Sequence, residues 1–78
     1  MSQKNEISCA VTRTLEQYFK DLDGETPAAL HELVIRSAER PMLEFVLQHT
    51  AGNQTVAAQM LGINRNTLRR KLTEYDLL

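Results

Sequence analysis

The stretch from Gly52 to Leu72 constrains the fold of this chain more than any other, because it has the pattern of two short helices joined by a tight turn. The first helix carries no charge, and the second carries four basic residues and no acid within residues 65–72. An uncharged helix, a glycine-containing turn and a basic amphipathic helix are typical of a helix-turn-helix that reads DNA.

Local signals give the bounds of this unit. The two helices are expected at about residues 54–61 and 65–74, with Asn53 and Asn64 as their N-caps and Gly62 in the turn between them. In the first of these helices, Ala57 and Ala58 are predicted to allow a close approach of the second. The core of the unit is expected to contain the following larger residues, with Tyr75 packing back: Val56, Met60, Leu61, Leu68 and Leu72.

Two longer amphipathic helices are predicted upstream. Apolar residues recur at steps of three and four from Ile7 to Leu22, and Gly24 is expected to end that helix in the left-handed conformation. Thr26 and Pro27 predict the start of the next helix, as N-cap and first helical residue.

The apolar face of this second helix continues across Pro41 to His49, after which Gly52 is expected to end it. Proline inside a helix removes one backbone hydrogen bond and presses on the carbonyl four residues back, which belongs to Ser37. Either the helix ends near Arg40 and another begins, or one helix kinks. The apolar periodicity keeps its phase through the break, which favours one kinked helix.

The composition predicts a single all-α domain with four helices. A chain of 78 residues can bury only a small core, and its net charge of −1 argues against a simple electrostatic coating of nucleic acid. The charge is nevertheless divided, because residues 1–50 hold five basic and eight acidic residues whereas residues 51–78 hold four basic and two acidic ones. This polarity between the halves indicates where an anionic partner would bind.

The chain is predicted to divide into a disordered N-terminus (residues 1–6), dimerisation helices (7–50) and the helix-turn-helix (51–78). The two long helices cannot cover their own apolar stripes, so pairing with a second chain into a four-helix core is favoured. The alternative is that all four helices pack within one monomer.

No catalytic, metal or cofactor site is predicted. His31 and His49 lie far apart among aliphatic residues, and Cys9 is the only cysteine, so no intrachain disulfide can form. Without a signal peptide or membrane-length apolar run, a cytoplasmic location is expected. Three acids are expected to form the solvated side of the long helix: Glu32, Glu39 and Glu44.

The N-terminal part of the basic helix is predicted to meet base edges in the major groove. Arg65 is placed to read a guanine through its bidentate fork, and Asn64 and Asn66 are placed to reach an adenine or a phosphate. Thr67 is expected to contact the DNA backbone. The competing interpretation of this face is a solvated basic surface without a partner.

Phosphate contacts are predicted on either side of these residues. Arg69, Arg70 and Lys71 lie further along the basic helix, where side chains more often contact phosphates. At the start of the uncharged helix, Asn53 and Thr55 accompany backbone N–H groups that suit a phosphate, although capping alone would also explain them.

Three stretches of the C-terminal part form a specific pattern, namely Gly52-Asn53-Gln54-Thr55, Ala57-Ala58 and the run from Gly62 to Leu72. In these residues the chain resembles the Fis family, the factor for inversion stimulation, whose helix-turn-helix also closes NtrC-type activators. Upstream, the Tyr18-Phe19 pair, Leu33-Val34 and Pro41 extend the resemblance from about Ile7 and favour Fis proper over a detached activator tail.

The resemblance implies a bacterial nucleoid-associated homodimer whose first two helices intertwine with those of its partner. It also implies paired recognition helices closer together than successive major grooves, so that DNA bends on binding, with weak sequence preference and readout of groove shape. Organisation of the nucleoid and modulation of transcription follow, without catalysis or cofactor, and RNA polymerase or a recombinase is a candidate further partner. By position, the family's DNA contacts fall on Asn53, Thr55, Asn64, Arg65, Thr67, Arg69, Arg70 and Lys71.

Some positions depart from the family pattern. Val56, Thr73 and Glu74 stand where basic residues are common, which predicts fewer phosphate contacts, and Asn66 replaces a common glycine.

A function from another class is also open, namely a protein-interaction or oligomerisation module whose basic helix binds an acidic partner.

Overall fold

The computed structural model describes residues 5–78, which form four α-helices and contain no strand. The all-α prediction is therefore confirmed. The helices are α1 (Glu6–Leu22), α2 (Leu30–His49), α3 (Gln54–Leu61) and α4 (Arg65–Glu74). The bounds of α3 and α4 agree with the predicted ones residue for residue. The chain divides into two compact units, the first ending at Val34 and the second spanning Ile35–Leu78.

A capping box starts α1. The side chain of Asn5 accepts a hydrogen bond from the backbone N–H of Ser8 at 2.8 Å, and the Ser8 hydroxyl accepts one from the backbone N–H of Asn5 at 2.7 Å. The helix thus begins one residue before its expected start at Ile7, and the rest of the predicted disordered segment lies outside the described residues. No residue of α1 is buried, and Ile7 is 73% exposed.

The end of α1 differs from its prediction by one residue. Asp23, not Gly24, is the first left-handed residue after the helix, with φ of 51°, and its backbone N–H donates to the carbonyl of Lys20. Gly24 follows with φ of 92°. Aspartate is one of the few residues other than glycine that enter this region readily, so the chain turns one position earlier than the glycine indicates.

The predicted start of α2 at Thr26 and Pro27 is wrong, because the helix begins at Leu30. Ala29 has φ of 54°, a left-handed conformation that a right-handed helix starting at Pro27 could not pass through. The Thr-Pro signal is sufficient to start a helix only if the residues after it can remain helical.

Pro41 lies inside α2, and the helix continues through it. Of the two alternatives, one helix rather than two is therefore confirmed, while the kink at this position stays a prediction. Pro41 and Ser37 are both exposed. Water can therefore reach the stretch of helix where the proline leaves a carbonyl without its backbone donor.

The same backbone motif ends α2 and α3. After α2, Gly52 donates its N–H to the carbonyl of Leu47 at 2.9 Å and Ala51 donates to Gln48 at 3.1 Å, which is the Schellman pattern. Ala51, with φ of 52°, is therefore the first left-handed residue after α2, one position before Gly52, whose φ is 82°. After α3, the prediction is correct, since Gly62 takes that position with φ of 71°.

The buried core of the second unit joins three helices. Leu43 comes from α2, two alanines come from α3, and two leucines come from α4, so the helix-turn-helix closes on the C-terminal part of α2. This arrangement confirms the inward face of α4, the close approach at the alanines of α3 and the packing back of the tyrosine. The core residues are Leu43, Ala57, Ala58, Leu68, Leu72 and Tyr75.

The prediction that Met60 belongs to this core is wrong, because this residue is 56% exposed. At about 100° per residue, Met60 lies beside the face of α3 that carries Ala57 and Ala58, not on it. Leu61 packs against the core as expected. Val56 is half-buried outside it.

In the described part of the chain, no helix combines the length and the apolarity needed to cross a bilayer.

Candidate nucleic-acid interface

Asparagine caps set the starts of both helices of the helix-turn-helix, as predicted. The side chain of Asn53 accepts a hydrogen bond from the N–H of Val56 at 3.1 Å, and that of Asn64 accepts one from the N–H of Asn66 at 2.7 Å. Each cap satisfies one N–H of a first turn. The other N–H groups of that turn, together with the positive end of the helix dipole, suit an anionic ligand.

The predicted contact residues differ in exposure. Thr67 and Lys71 are half-buried. The other seven are exposed: Asn53, Thr55, Asn64, Arg65, Asn66, Arg69 and Arg70. Burial of Leu68 and Leu72 turns one side of α4 inward. The structure thereby leaves most of the predicted set accessible to a ligand.

Three arginines of α4 have no acidic partner in the described part of the chain. Among residues 5–78, the ion pairs are Arg40 with Glu44 and Lys71 with Glu39. Neither pair includes an arginine of α4, so no carboxylate of the described chain pairs with Arg65, Arg69 or Arg70. A planar guanidinium without such a partner can bind a phosphate or the major-groove edge of a guanine with two parallel hydrogen bonds. This face of α4 therefore has the chemistry that nucleic acid requires.

Glu39 of α2 binds two groups at the C-terminal end of α4. Its Oε2 lies 2.9 Å from Nζ of Lys71, and its Oε1 accepts a hydrogen bond from the hydroxyl of Tyr75 at 2.8 Å. The interpretation of Glu39 as part of a solvated side is therefore wrong, since only 17% of its side chain is exposed. The hydrogen bond from Lys71 lowers the pKa of Glu39 below its ordinary value, and that from Tyr75 adds to the effect, while burial opposes it.

Two arginines of α2 complete this contact with Tyr75. Nη1 of Arg40 donates to the backbone carbonyl of Tyr75 at 2.9 Å, and the guanidinium of Arg36 lies 4.7 Å from the centroid of its ring. Burial raises the pKa of the Tyr75 hydroxyl, as does its hydrogen bond to Glu39. We call these residues the Tyr75 clasp: Arg36, Glu39, Arg40, Lys71 and Tyr75.

The clasp was missed by sequence reasoning. Arg36, Glu39 and Arg40 stand at positions i, i+3 and i+4, which places them on one side of α2. That spacing of two cations and an acid could have indicated a polar contact surface. Nothing local to α2, however, identifies the C-terminal end of α4 as the surface that it meets.

The histidines take no part in this interface. His49 stacks against Phe45, with ring centroids 6.4 Å apart and planes 9° from parallel. His31 is exposed. Within residues 5–78, no three His, Cys, Asp or Glu side chains come together as metal ligands would.

The stability of the second unit is expected to fall at acidic pH in part through Glu39. Its pKa is lowered in the folded state by Lys71 and Tyr75, so its contribution is fully present above the unfolded pKa and is lost as pH falls through the folded one. Urea unfolding should show Glu39→Gln to be less stable than the parent at pH 7, with the difference shrinking below about pH 4. A difference that is the same at pH 7 and pH 3 would contradict this.

Known proteins resemble this chain over most of its length. Residues 34–75 match the family model of bacterial regulatory proteins of the Fis family. A protein of Ralstonia nicotianae that is named as a Fis-like DNA-binding protein is 45% identical over 75 residues, which cover 96% of this chain and 97% of the relative. The DNA-binding protein Fis of Glaesserella parasuis is 54% identical over 67 residues, which cover 86% of this chain and 68% of the relative. The family model matches more than half of the chain, and both relatives align with it over most of their length. This chain therefore belongs to the Fis family of bacterial regulatory proteins.

Proposed function

We propose that this protein is a homodimer that binds and bends double-stranded DNA with weak sequence preference, organising the nucleoid and modulating transcription in the cytoplasm. The observation that supports it most directly is the set of three arginines on α4 without acidic partners among residues 5–78. Membership of the Fis family, with relatives named as DNA-binding proteins, supports the same function. Because this is a family of regulatory proteins, the expectation that the chain is not an enzyme is confirmed.

In this proposal α4 enters the major groove with its N-terminal turn toward the bases. Arg65 reads a guanine and Asn66, beside it, reaches an adenine or a phosphate, while Asn64 caps the helix and lies close to the same base edges. Thr67 contacts the DNA backbone. Phosphate contacts come from exposed residues at both ends of the helix-turn-helix: Asn53, Thr55, Arg69 and Arg70.

Uncovered apolar side chains support the homodimer. No residue of α1 is buried, and Phe45 of α2 is 70% exposed. Large exposed apolar patches are uncommon on monomers and mark interaction sites. A second copy of this chain is the occupant that two-fold recognition of DNA would need. The large side chains left exposed on α1 and α2 are Ile7, Phe19, Leu33, Ile35, Met42 and Phe45.

Sedimentation equilibrium tests the dimer. The chain mass is 8.9 kDa, and we expect the free parent protein to sediment with twice that mass. Phe45→Glu places a charge on the proposed dimer face and should shift the equilibrium toward monomer. Met60→Glu places the same charge on an exposed site of α3 and should leave the mass unchanged. A parent mass of 8.9 kDa at micromolar concentration would rule out the dimer.

Gel-shift titration with a mixed-sequence duplex, followed by binding to circularly permuted fragments, tests DNA binding and bending. We expect a complex with the mixed-sequence duplex and with the permuted fragments. If the DNA bends, the mobility of the permuted complexes should depend on the position of the site within the fragment. A folded dimer that shifts neither duplex would contradict the proposal and would favour the protein-interaction module instead.

A further inference from the structure

Lys71 differs from the other three cations of α4. Those three are exposed arginines without an acidic partner in the described chain, whereas 30% of the Lys71 side chain is exposed and its ammonium group lies 2.9 Å from the carboxylate of Glu39. The sequence alone assigns Lys71 to the phosphate-contacting run. In the structure its ammonium group is instead directed toward Glu39 of α2.

We propose that Glu39 is a positioning residue that withholds Lys71 from the DNA backbone, so that the phosphate contacts of the C-terminal half of α4 come from Arg69 and Arg70. This inference rests on the proposed DNA-binding function. It assigns Glu39, on a helix outside the helix-turn-helix, a role in setting how many cations each subunit offers to DNA.

Glu39 is held in place from two directions. Both of its carboxylate oxygens are engaged, one by Lys71 and the other by the hydroxyl of Tyr75. Tyr75 is buried in the core, and Arg36 and Arg40 hold its ring and its carbonyl. The acid therefore cannot follow Lys71 outward, and a phosphate would have to break a short, partly buried ion pair to obtain the ammonium group.

The salt dependence of DNA binding reports this arrangement. Each phosphate neutralised by a protein cation adds roughly 0.9 to the slope of log affinity against log salt concentration, because one set of counterions is released. A lysine committed to a carboxylate adds nothing. The slope therefore reports whether Lys71 neutralises a phosphate. A role of Glu39 in folding alone would not change the slope.

The experiment compares four proteins that form a double-mutant cycle: the parent, Glu39→Gln, Lys71→Gln and the double variant. Glutamine keeps the shape of the glutamate side chain and an oxygen for the Tyr75 hydroxyl, while removing the charge that holds Lys71. Affinities are measured on one mixed-sequence duplex at several salt concentrations between about 50 and about 200 mM, where counterion release dominates. Circular dichroism at each condition checks that the helices are formed.

With Glu39 in place, Lys71→Gln should leave the salt slope unchanged. Glu39→Gln should steepen it by about 0.9 for each subunit bound to DNA, so that the ratio of affinities at the lowest and highest salt grows about 3-fold per subunit. The double variant should return to the parent slope. Glu32→Gln makes the same change of charge on the first turn of α2, where Glu32 has no ion-pair partner within residues 5–78, and should leave the slope unchanged.

Two results would overturn the proposal. One is a slope reduced by about 0.9 per subunit in Lys71→Gln alone, since Lys71 would then contact a phosphate in the parent. The other is a Glu39→Gln slope equal to that of the parent. If Glu39→Gln loses its helices, the salt slope of Lys71→Gln still tests whether Lys71 contacts a phosphate in the parent. A parent that binds no duplex would refute the proposed function itself, a result distinct from either of these.

Discussion

Replacement of Leu72 by alanine is expected to lower the free energy of unfolding of the second unit by about 2–5 kcal/mol, more than any other substitution proposed for this chain. Leu72 is 0% exposed and packs in a core of only six buried residues, five of them from α2, α3 and α4 and the sixth, Tyr75, directly after α4. Removing most of its side chain leaves a cavity that so few neighbours cannot close. Since small domains are only marginally stable, much of the helix-turn-helix population should unfold and DNA binding should fall with it.

Urea denaturation followed by circular dichroism measures this effect, at one fixed protein concentration because association adds to the apparent stability. The matched control is Met60→Ala, since Met60 lies on α3 of the same unit but is largely exposed. It should change the unfolding free energy by no more than about 0.5 kcal/mol. Equal losses in the two variants would show that Leu72 does not belong to the core.

Arg65→Ala is expected to weaken binding to a preferred duplex by about 1–3 kcal/mol, which is roughly 5- to 150-fold. Arg65 is exposed in the first turn of α4, directly after the cap at Asn64, and has no acidic partner among the described residues. Its guanidinium is therefore available for two hydrogen bonds to a guanine. Truncation removes the discrimination between bases that those bonds supply.

The effect is measured as the ratio of affinities for the preferred duplex and for a mixed-sequence duplex at one salt concentration, because a phosphate contact would weaken both equally. Arg13→Ala makes the same change of charge on α1 and should leave the ratio unchanged. If Arg65→Ala binds the preferred duplex as tightly as the parent does, Arg65 has no role in base recognition.

The bounds of the helix-turn-helix could be predicted because its signals are local. Asn53 and Asn64 cap helices through bonds to residues two or three positions away, and Gly62 adopts its left-handed conformation without a steric penalty. These interactions depend on a few neighbouring residues and hardly at all on the rest of the fold. The family resemblance rests on the same residues, which is why the amino-acid sequence was sufficient to recognise it.

Local signals failed where several competed within a few residues. Between α1 and α2, Gly24, Thr26 and Pro27 each had a plausible role, yet Asp23 and Ala29 took the left-handed positions. Each such preference is worth about 1 kcal/mol, so the geometry of the whole connection can override it.

The partners of α2 could not be read from the chain, because burial depends on the surface that a residue meets and that surface comes from distant sequence. Leu43 and Met60 are both large apolar residues on helices, but Leu43 meets the helix-turn-helix and is buried, whereas Met60 meets nothing in the described chain that covers it. Glu39 has the spacing of a solvated acid, but Lys71 and Tyr75 reach it from more than thirty residues away. Periodicity identifies which side of a helix can be covered. Packing between helices decides which side is covered, and at Lys71 it also decides which cation has a carboxylate partner.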